Sequence, residues 1–402
     1  MRNKYFMNNK KINYTTIEGN SNQFYALVGA LILLSLGGAW ASLRMFLEGH
    51  YITGMSNAVP WGFPIVMAIY LIGLSAGSLV LSSLASVFGK IEFKAFSRMA
   101  AVLAALLLVG ALLSIVLDWG RPDRLIVPFL YFNPRSMFSL NGILYSTYIG
   151  ICFLYLWAMF AEKEKIVSIL GGIAVFWAVL VHSGTGAIFG FVGARELYHS
   201  PLLPPSFIAA ALSSGTALMI LVMAATFKFS GRHLDDALIQ KLGKYLAVFI
   251  GIVAYFIFVE NVSRSYIPEY YEAQRFLLLD GNKYTWIFWL GLVGCGIVIP
   301  FLILMMPGKG KSIPWILIAC VLVIGGVLAE RYIIVVPGQV LPLDIFPGME
   351  ISSEFQDGII AEYSISFVEA LQALGITAFI FLLYVLGLKF FELLPEEVHR
   401  EG

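Results

Sequence analysis

The chain has 402 residues, of which 59% are hydrophobic and only 13% charged, and its net charge is +1. Soluble domains carry roughly a quarter charged residues, and a nucleic-acid binder needs a basic face that this balance does not leave over. Both classes are excluded; the composition describes a multi-span membrane protein whose surroundings are membrane lipid, with no nucleic-acid partner.

The opening stretch, MRNKYFMNNKKINYTTIEGN, is polar throughout. A cleavable signal would place its apolar core much earlier, so residues 1–23 read as an N-terminal tail before a retained first helix. Crossing the hydrocarbon core takes about 20 mostly apolar residues. Ten such runs follow, at 24–46, 63–88, 96–118, 138–160, 166–191, 203–228, 241–263, 284–305, 313–337 and 366–391. An even number puts both termini on one side. Pro60, Pro64, Pro201, Pro204, Pro205 and Pro314 fall near the starts of runs, where a missing backbone N–H costs little.

Lys and Arg set the orientation, because their excess marks cytoplasmic loops. They gather in the N-terminal tail and after the second, fourth, sixth and eighth runs, whereas the opposite side holds Arg121, Arg124, Arg135, Arg195, Arg264, Arg275 and Lys283. Both termini are therefore expected in the cytoplasm.

In chain order, residues 24–62 form a first flanking helix and an outer loop. The second run opens with PWGFPIVMAIYLIGLSAGS, residues 60–78, which brings Trp61, Tyr70 and a seam of small residues around Gly73 and Gly77. The third run ends on Asp118. The connection that follows, LDWGRPDRLIVPFLYFNPRSMFSLN, combines Arg121, Arg124 and Arg135 with Trp119 and Tyr131 and leads to Asn141 at the start of the fourth run. It reads either as local ion pairing in a Gly-Pro turn or as a polar, aromatic mouth suited to a flat headgroup on an apolar tail.

The fifth run carries HSGTGAIFG, in which His182 and Ser183 precede Gly186 and Gly190. Two glycines four apart let another helix approach closely, and His182, one turn before Gly186, faces the bundle. Later runs bring Glu260, Glu330 with Arg331, and Glu369, joined by Arg264 at a helix end. With the expected orientation nearly all these groups fall in the outer half of the bilayer. An ionisable group in a span is costly and is a functional candidate by default; the plainer alternative is that each is neutral, paired or at the headgroups.

The connection after the ninth run, 338–365, holds Asp344, Glu350, Glu354, Asp357 and Glu362 without a Lys or Arg, as a docking surface would. Residues 366–391 form a flanking tenth helix and 392–402 a cytoplasmic tail. Cys152, Cys295 and Cys320 stand alone in separate runs, with no spacing for zinc or an iron–sulfur cluster. Of the histidines only His182 is well inside a span, whereas a haem in a bundle takes two axial side chains. No haem, iron–sulfur cluster or metal is expected in this chain.

PWGFPIVMAIYLIGLSAGS, the LDWGRP turn with NPRSMFSLNG, HSGTGAIFG with ELYHSPLLPPSF (196–207), and ERYIIVVPGQ (330–339) occur in one order on a ten-span chain. In these stretches the sequence resembles the NrfD/PsrC family, the membrane subunits of polysulfide reductases, nitrite reductase systems, hydrogenase-2-type (HybB-like) enzymes and alternative complex III. Ten spans look closer to the hydrogenase-2 and sulfate-reducer branch than to the eight-span polysulfide reductases. The resemblance implies an all-α polytopic membrane protein built from two four-helix bundles, here 63–191 and 203–337, with two flanking helices. It implies a quinone substrate, menaquinone, bound near the periplasmic face, and electrons exchanged with a ferredoxin-like iron–sulfur subunit there. A catalytic oxidoreductase subunit and a multihaem cytochrome would lie beyond. Asp118 and His182 match the family's polar positions on the third and fifth spans. Where some relatives carry an acid or histidine on the outer part of span 2, this chain has Ala68, with Tyr70 the nearest polar group.

The expectation is thus a quinone-reactive subunit in a bacterial inner membrane during anaerobic respiration. His182 is expected as base, with Asp118 orienting it or taking the proton next. Tyr70, Asn141, Arg135, Trp61 and Ser183 are expected to line the quinone site, and Glu260, Glu330, Arg331 and Glu369 to form a proton route. The partner would dock over the 118–141 connection and the acidic loop. A secondary transporter is the rival from another class, but it would keep its binding groups near the midplane; a purely structural anchor would need neither quinone nor His182.

Overall fold

The computed structural model describes residues 12–343 and 358–396. The tail residues Arg2, Lys4, Lys10, Lys11 and Arg400, and Asp344, Glu350, Glu354 and Asp357 of the acidic loop, lie outside the described residues.

Among the described residues ten helices are long and apolar enough to cross a membrane: α1 (Asn22–Glu48), α2 (Phe63–Ser83), α3 (Ile91–Asp118), α4 (Met137–Phe160), α5 (Glu164–Gly190), α6 (Leu203–Phe229), α7 (Asp236–Tyr266), α8 (Lys283–Met305), α9 (Ile313–Val340) and α10 (Phe367–Phe390). The chain is an all-α polytopic membrane protein. Each helix coincides with one expected run, and the differences lie at the ends. Asp235 caps α7 by accepting from the amide of Ala237, which starts that helix before its apolar run. Ser366 and Glu369 form a reciprocal capping box on α10. α2 stops at Ser83, short of the expected 88, and the chain turns through Gly89 at φ +68°. Within α8, residues Ile287–Val298 follow a π-helical course that the apolar pattern does not signal.

Helices α2 to α5 form one ring, in which α2 packs on α3 and α5, and α4 on α3 and α5. Helices α6 to α9 form a second ring of the same kind. The rings meet chiefly through α2 against α6, with α5 on α6 and α2 on α9. The seam read in span 2 lies at this junction: a Cβ on Gly77 would stand 2.6 Å from the Cα of Gly215, and one on Gly215 would stand 2.3 Å from the Cα of Gly77. Backbones at that separation exclude any side chain. Gly186 of α5 admits the first turn of α6 in the same way, a Cβ there falling 2.7 Å from the Cα of Pro204. α1 and α10 pair with each other, and α10 lies on α3.

Both ends of the described chain meet on one face. Strand β1 (Tyr14–Thr15) pairs antiparallel with β2 (Leu394–Pro395). Arg232 locks them by donating to Pro395 O at 2.7 Å and Thr15 Oγ1 at 2.8 Å. The guanidinium of Arg98 lies 4.0 Å over the ring of Tyr14.

Candidate functional site

At the opposite face the first ring holds a cavity of about 120 Å³. Its walls are Trp61, Ile65, Ala68 and Ile69 on and before α2, Leu112, Ile115 and Val116 on α3, Phe138, Ser139, Asn141, Gly142, Tyr145 and Ser146 on α4, and Ile188 and Phe189 on α5; Trp119, Leu125, Pro128 and Phe129 roof it. Trp61 is stacked on Phe138 with centroids 6.3 Å apart and meets Phe189 edge-on at 5.6 Å, and Trp119 meets Phe138 edge-on at 6.4 Å. Such offset and edge-on packing is the favourable geometry for aromatic rings. Ser146 on the cavity rim is exposed about 14 Å along α4 from the helix start, so the mouth faces the hydrocarbon region.

The motifs quoted from the sequence hold Trp61 in place. The side-chain amide of Gln339 accepts from Trp61 N at 2.8 Å and donates to Trp61 O at 2.9 Å. Tyr198 donates to Val335 O, and Arg195 donates to Gly338 O at 2.9 Å. The PWGFP turn, the ELYHS segment and the VPGQ turn thus form one brace behind the aromatic wall.

Asn141 is the polar group of the wall with an open valence. Its Nδ2 donates to Met137 O at 2.7 Å and to Gly184 O at 2.9 Å, while its Oδ1, buried in a residue 1% exposed, has no partner among the described residues. A Cβ on residue 184 would lie 2.6 Å from that oxygen, so the glycine makes room for it. Tyr145, also in the wall, is spent on Thr185 at 2.8 Å.

Of the expected quinone residues, the structure therefore brings Trp61 and Asn141 to the cavity. His182 and Tyr70 stand instead at the junction of the two rings. His182 donates from Nδ1 to Ala178 O at 2.9 Å; its Nε2 faces the backbone of Ile72 without closing a hydrogen bond. Tyr70 donates to Ile324 O of α9 at 3.2 Å. Ser183 is half-buried on α5, and Arg135 is exposed on the roof connection, outside the lining.

Asp118, next to Trp119 of the roof, keeps a buried Oδ1 without a partner and feels the charge of Glu369. Glu369 is fully buried and accepts from Tyr363 OH at 2.7 Å, Ser366 N at 2.9 Å, Gly54 N at 3.0 Å and Phe63 N at 3.3 Å. Four donors satisfy a carboxylate, and they tie the 54–63 segment to α10. Burial, with the Glu369 carboxylate beside it, pushes the Tyr363 phenol far up, so it stays a donor. His50 joins this group. Burial lowers its pKa, the Glu369 charge opposing, and the site where Gly120 would carry a Cβ is 3.3 Å from its Nε2.

The remaining expected residues lie in and around the second ring. Arg331 is fully buried with its guanidinium 3.8 Å over the ring of Phe207, and among the described residues no hydrogen-bond acceptor meets its nitrogens. Glu330 Oε1 is 3.9 Å from Arg331 Nη1, and Glu330 Oε2 is unpartnered. Arg331 is within electrostatic reach of His182, and Glu330 within that of Glu260. Glu260 pairs with Arg264 at 3.1 Å, Arg264 donates to His199 O, and His199 meets Tyr270 OH at 2.6 Å near the surface. Among the described residues, no three His, Cys, Asp or Glu side chains gather as a metal ion would need.

Gln339, Tyr363, Tyr145, Phe138, Phe189 and His50 belong to these clusters although none was singled out from the sequence. His50 and Tyr363 read there as loop residues; only the VPGQ motif gave any sign of Gln339.

The family described as "Polysulphide reductase, NrfD" matches residues 51–342. Among curated proteins the chain is 43% identical over 392 residues to the Hdr-like menaquinol oxidoreductase integral membrane subunit of Archaeoglobus fulgidus, covering 97% of this chain and 98% of that one. It is 23% identical to the menaquinone reductase integral membrane subunit of Nitratidesulfovibrio vulgaris, covering 78% of this chain and 81% of that one. Identity to the protein NrfD of Escherichia coli is 24%, over 70% of this chain and 96% of that one.

Proposed function

The chain belongs to the NrfD polysulphide reductase family, and on that premise we propose that it is the quinone-reactive membrane subunit of a respiratory oxidoreductase complex, with menaquinol or menaquinone as its substrate. The observation that carries this reading is the aromatic cavity open to the bilayer with the unpartnered Asn141 Oδ1 in its wall. A quinol is a flat aromatic diol on an isoprenoid tail. The rings of Trp61, Phe138 and Phe189 offer faces and edges to such a headgroup, Asn141 Oδ1 accepts from a hydroxyl, and the tail leaves past Ser146. An apolar pocket with few polar groups is the ordinary form of such a site.

Quinol oxidation supplies electrons and protons together, so the chain must hold protons beside the cavity. Asp118 precedes Trp119 of the roof in the chain and has, among the described residues, one oxygen without a partner to take one, and Glu369, fixed by its four donors, sets the charge around it. His182, with a bare Nε2, stands at the junction of the two rings. From it Arg331, Glu330, Glu260 and Arg264 lead toward His199 and Tyr270, a row of ionisable groups of the kind that relays protons.

The Lys and Arg distribution supports a cytoplasmic position for both termini in the cell's inner membrane, which puts the cavity near the periplasmic face. A ferredoxin-like iron–sulfur subunit docks there, over the Arg121–Asp123 turn and the acidic connection, with the catalytic subunit and a multihaem cytochrome beyond it. The test is to purify the chain with what co-purifies, then identify extracted quinone and measure iron. Bound menaquinone with an iron-containing partner is the expected result; a lone chain with neither would overturn the reading.

A further inference from the structure

The connection between α3 and α4 has an apolar outer side that the cavity does not use. Leu125, Pro128 and Phe129 point to the cavity, whereas Ile126, Leu130 and Tyr131 are 61%, 69% and 80% exposed. The same stretch holds three exposed arginines and few acids. Asp123 is gripped by Arg121 through two bonds of 2.9 Å, Arg124 senses that carboxylate only at longer range, and among the described residues no carboxylate contacts Arg135. The segment also continues the rim of a mouth that opens toward hydrocarbon at Ser146, well below the start of α4. An exposed apolar face flanked by uncompensated cations, set beside a membrane-facing opening, is the pattern of a segment lying in the interface with its cations at lipid phosphates.

We propose that the α3–α4 connection lies in the adjacent leaflet, with Ile126, Leu130 and Tyr131 among the acyl chains and Arg124 and Arg135 on the phosphates of anionic lipids, so that lipid forms the outer lip of the cavity. This does not depend on what the cavity binds. It divides the connection by chemistry: the polar Arg121–Asp123 turn is left to a protein partner, and the apolar side is not.

The test uses the full chain in nanodiscs of phosphatidylcholine with and without phosphatidylglycerol. Leu130→Cys, in a Cys295→Ser background, carries an environment-sensitive fluorophore, and Tyr131→Cys repeats the measurement at the neighbouring position. The expected result is a label shielded from aqueous iodide and strongly quenched by nitroxide-bearing lipid. The double variant Arg124→Gln, Arg135→Gln should retain several-fold less phosphatidylglycerol through purification while binding the same phosphatidylcholine. A label quenched by iodide and indifferent to nitroxide lipid would overturn the proposal and leave this face to a protein partner. A buried label with unchanged phosphatidylglycerol retention would overturn its arginine–phosphate half.

Discussion

Asn141 on α4 donates through Nδ2 to the backbone carbonyl of Gly184 on α5 at 2.9 Å, and this bond leaves its Oδ1 unpartnered in the wall of the aromatic cavity. An unmade hydrogen bond at a buried acceptor costs about 1–3 kcal/mol. In the proposed site a hydroxyl-bearing ligand would remove that cost.

Asn141→Leu should weaken binding of a short-tailed menaquinol analogue by on the order of tenfold, the equivalent of one net hydrogen bond to a ligand. Binding by fluorescence titration and thermal melting must be read together, since the substitution also releases the carbonyls of Met137 and Gly184. Unchanged affinity with an unchanged melt would remove Asn141 from the site.

Gly215→Leu should separate the two rings. The position has no room for even a Cβ against Gly77, and overpacking a tight contact costs about 1–3 kcal/mol or more. The expected outcome is a lower melting temperature in detergent and loss of monodispersity. Gly150→Leu, at a position open around its Cβ, should change neither.

His50 gives a pH signature. Its folded pKa lies below its ordinary value, because burial outweighs the favourable charge of Glu369. The unfolded chain then binds more protons between the two pKa values, and stability falls as pH drops below the unfolded value of about 6.5. Melting followed from about pH 7.5 to about pH 5, a range that spans this value, should show the loss, and His50→Gln should flatten the part due to His50. An identical slope in both proteins would show that His50 does not carry it.

Gln339→Leu should loosen Trp61 without touching the cavity wall directly. Two hydrogen bonds to the Trp61 backbone go with the amide, at about 1 kcal/mol each. A drop in quinol-analogue affinity with normal expression, partly restored by Gln339→Asn, is the expected result.

Periodicity and charge make the ten spans legible, because each must cross the hydrocarbon core, whose thickness fixes its length. What lies outside the lipid is not legible: the pairing of Tyr14–Thr15 with Leu394–Pro395 and the cap-extended start of α7 answer to polar hydrogen bonds, not to hydropathy. At the site, Trp61 and Asn141 stand in motifs the sequence displays and meet in the cavity. His182 stands in such a motif too, but the face of α5 that bears it turns to α2 and α9, a rotation of one helix face that no count of spans resolves. Glu369 reads as one of a row of acids, and the structure surrounds it with donors from segments more than 300 residues away, Gly54 and Phe63. Contacts of that range leave no local trace in the sequence.

In the proposed function the quinone headgroup sits in the α2–α5 cavity. A photoreactive menaquinone analogue, crosslinked to the full chain in native membranes and mapped by peptide mass spectrometry, tests it most directly. Label is expected on the cavity segments, 112–119, 125–129 and 138–146, with competition by unlabelled menaquinol. Label confined to the separate apolar groove between α7 and α8, about 570 Å³ and lined by Phe258, Tyr266 and Trp289, or no competed label at all, would contradict it.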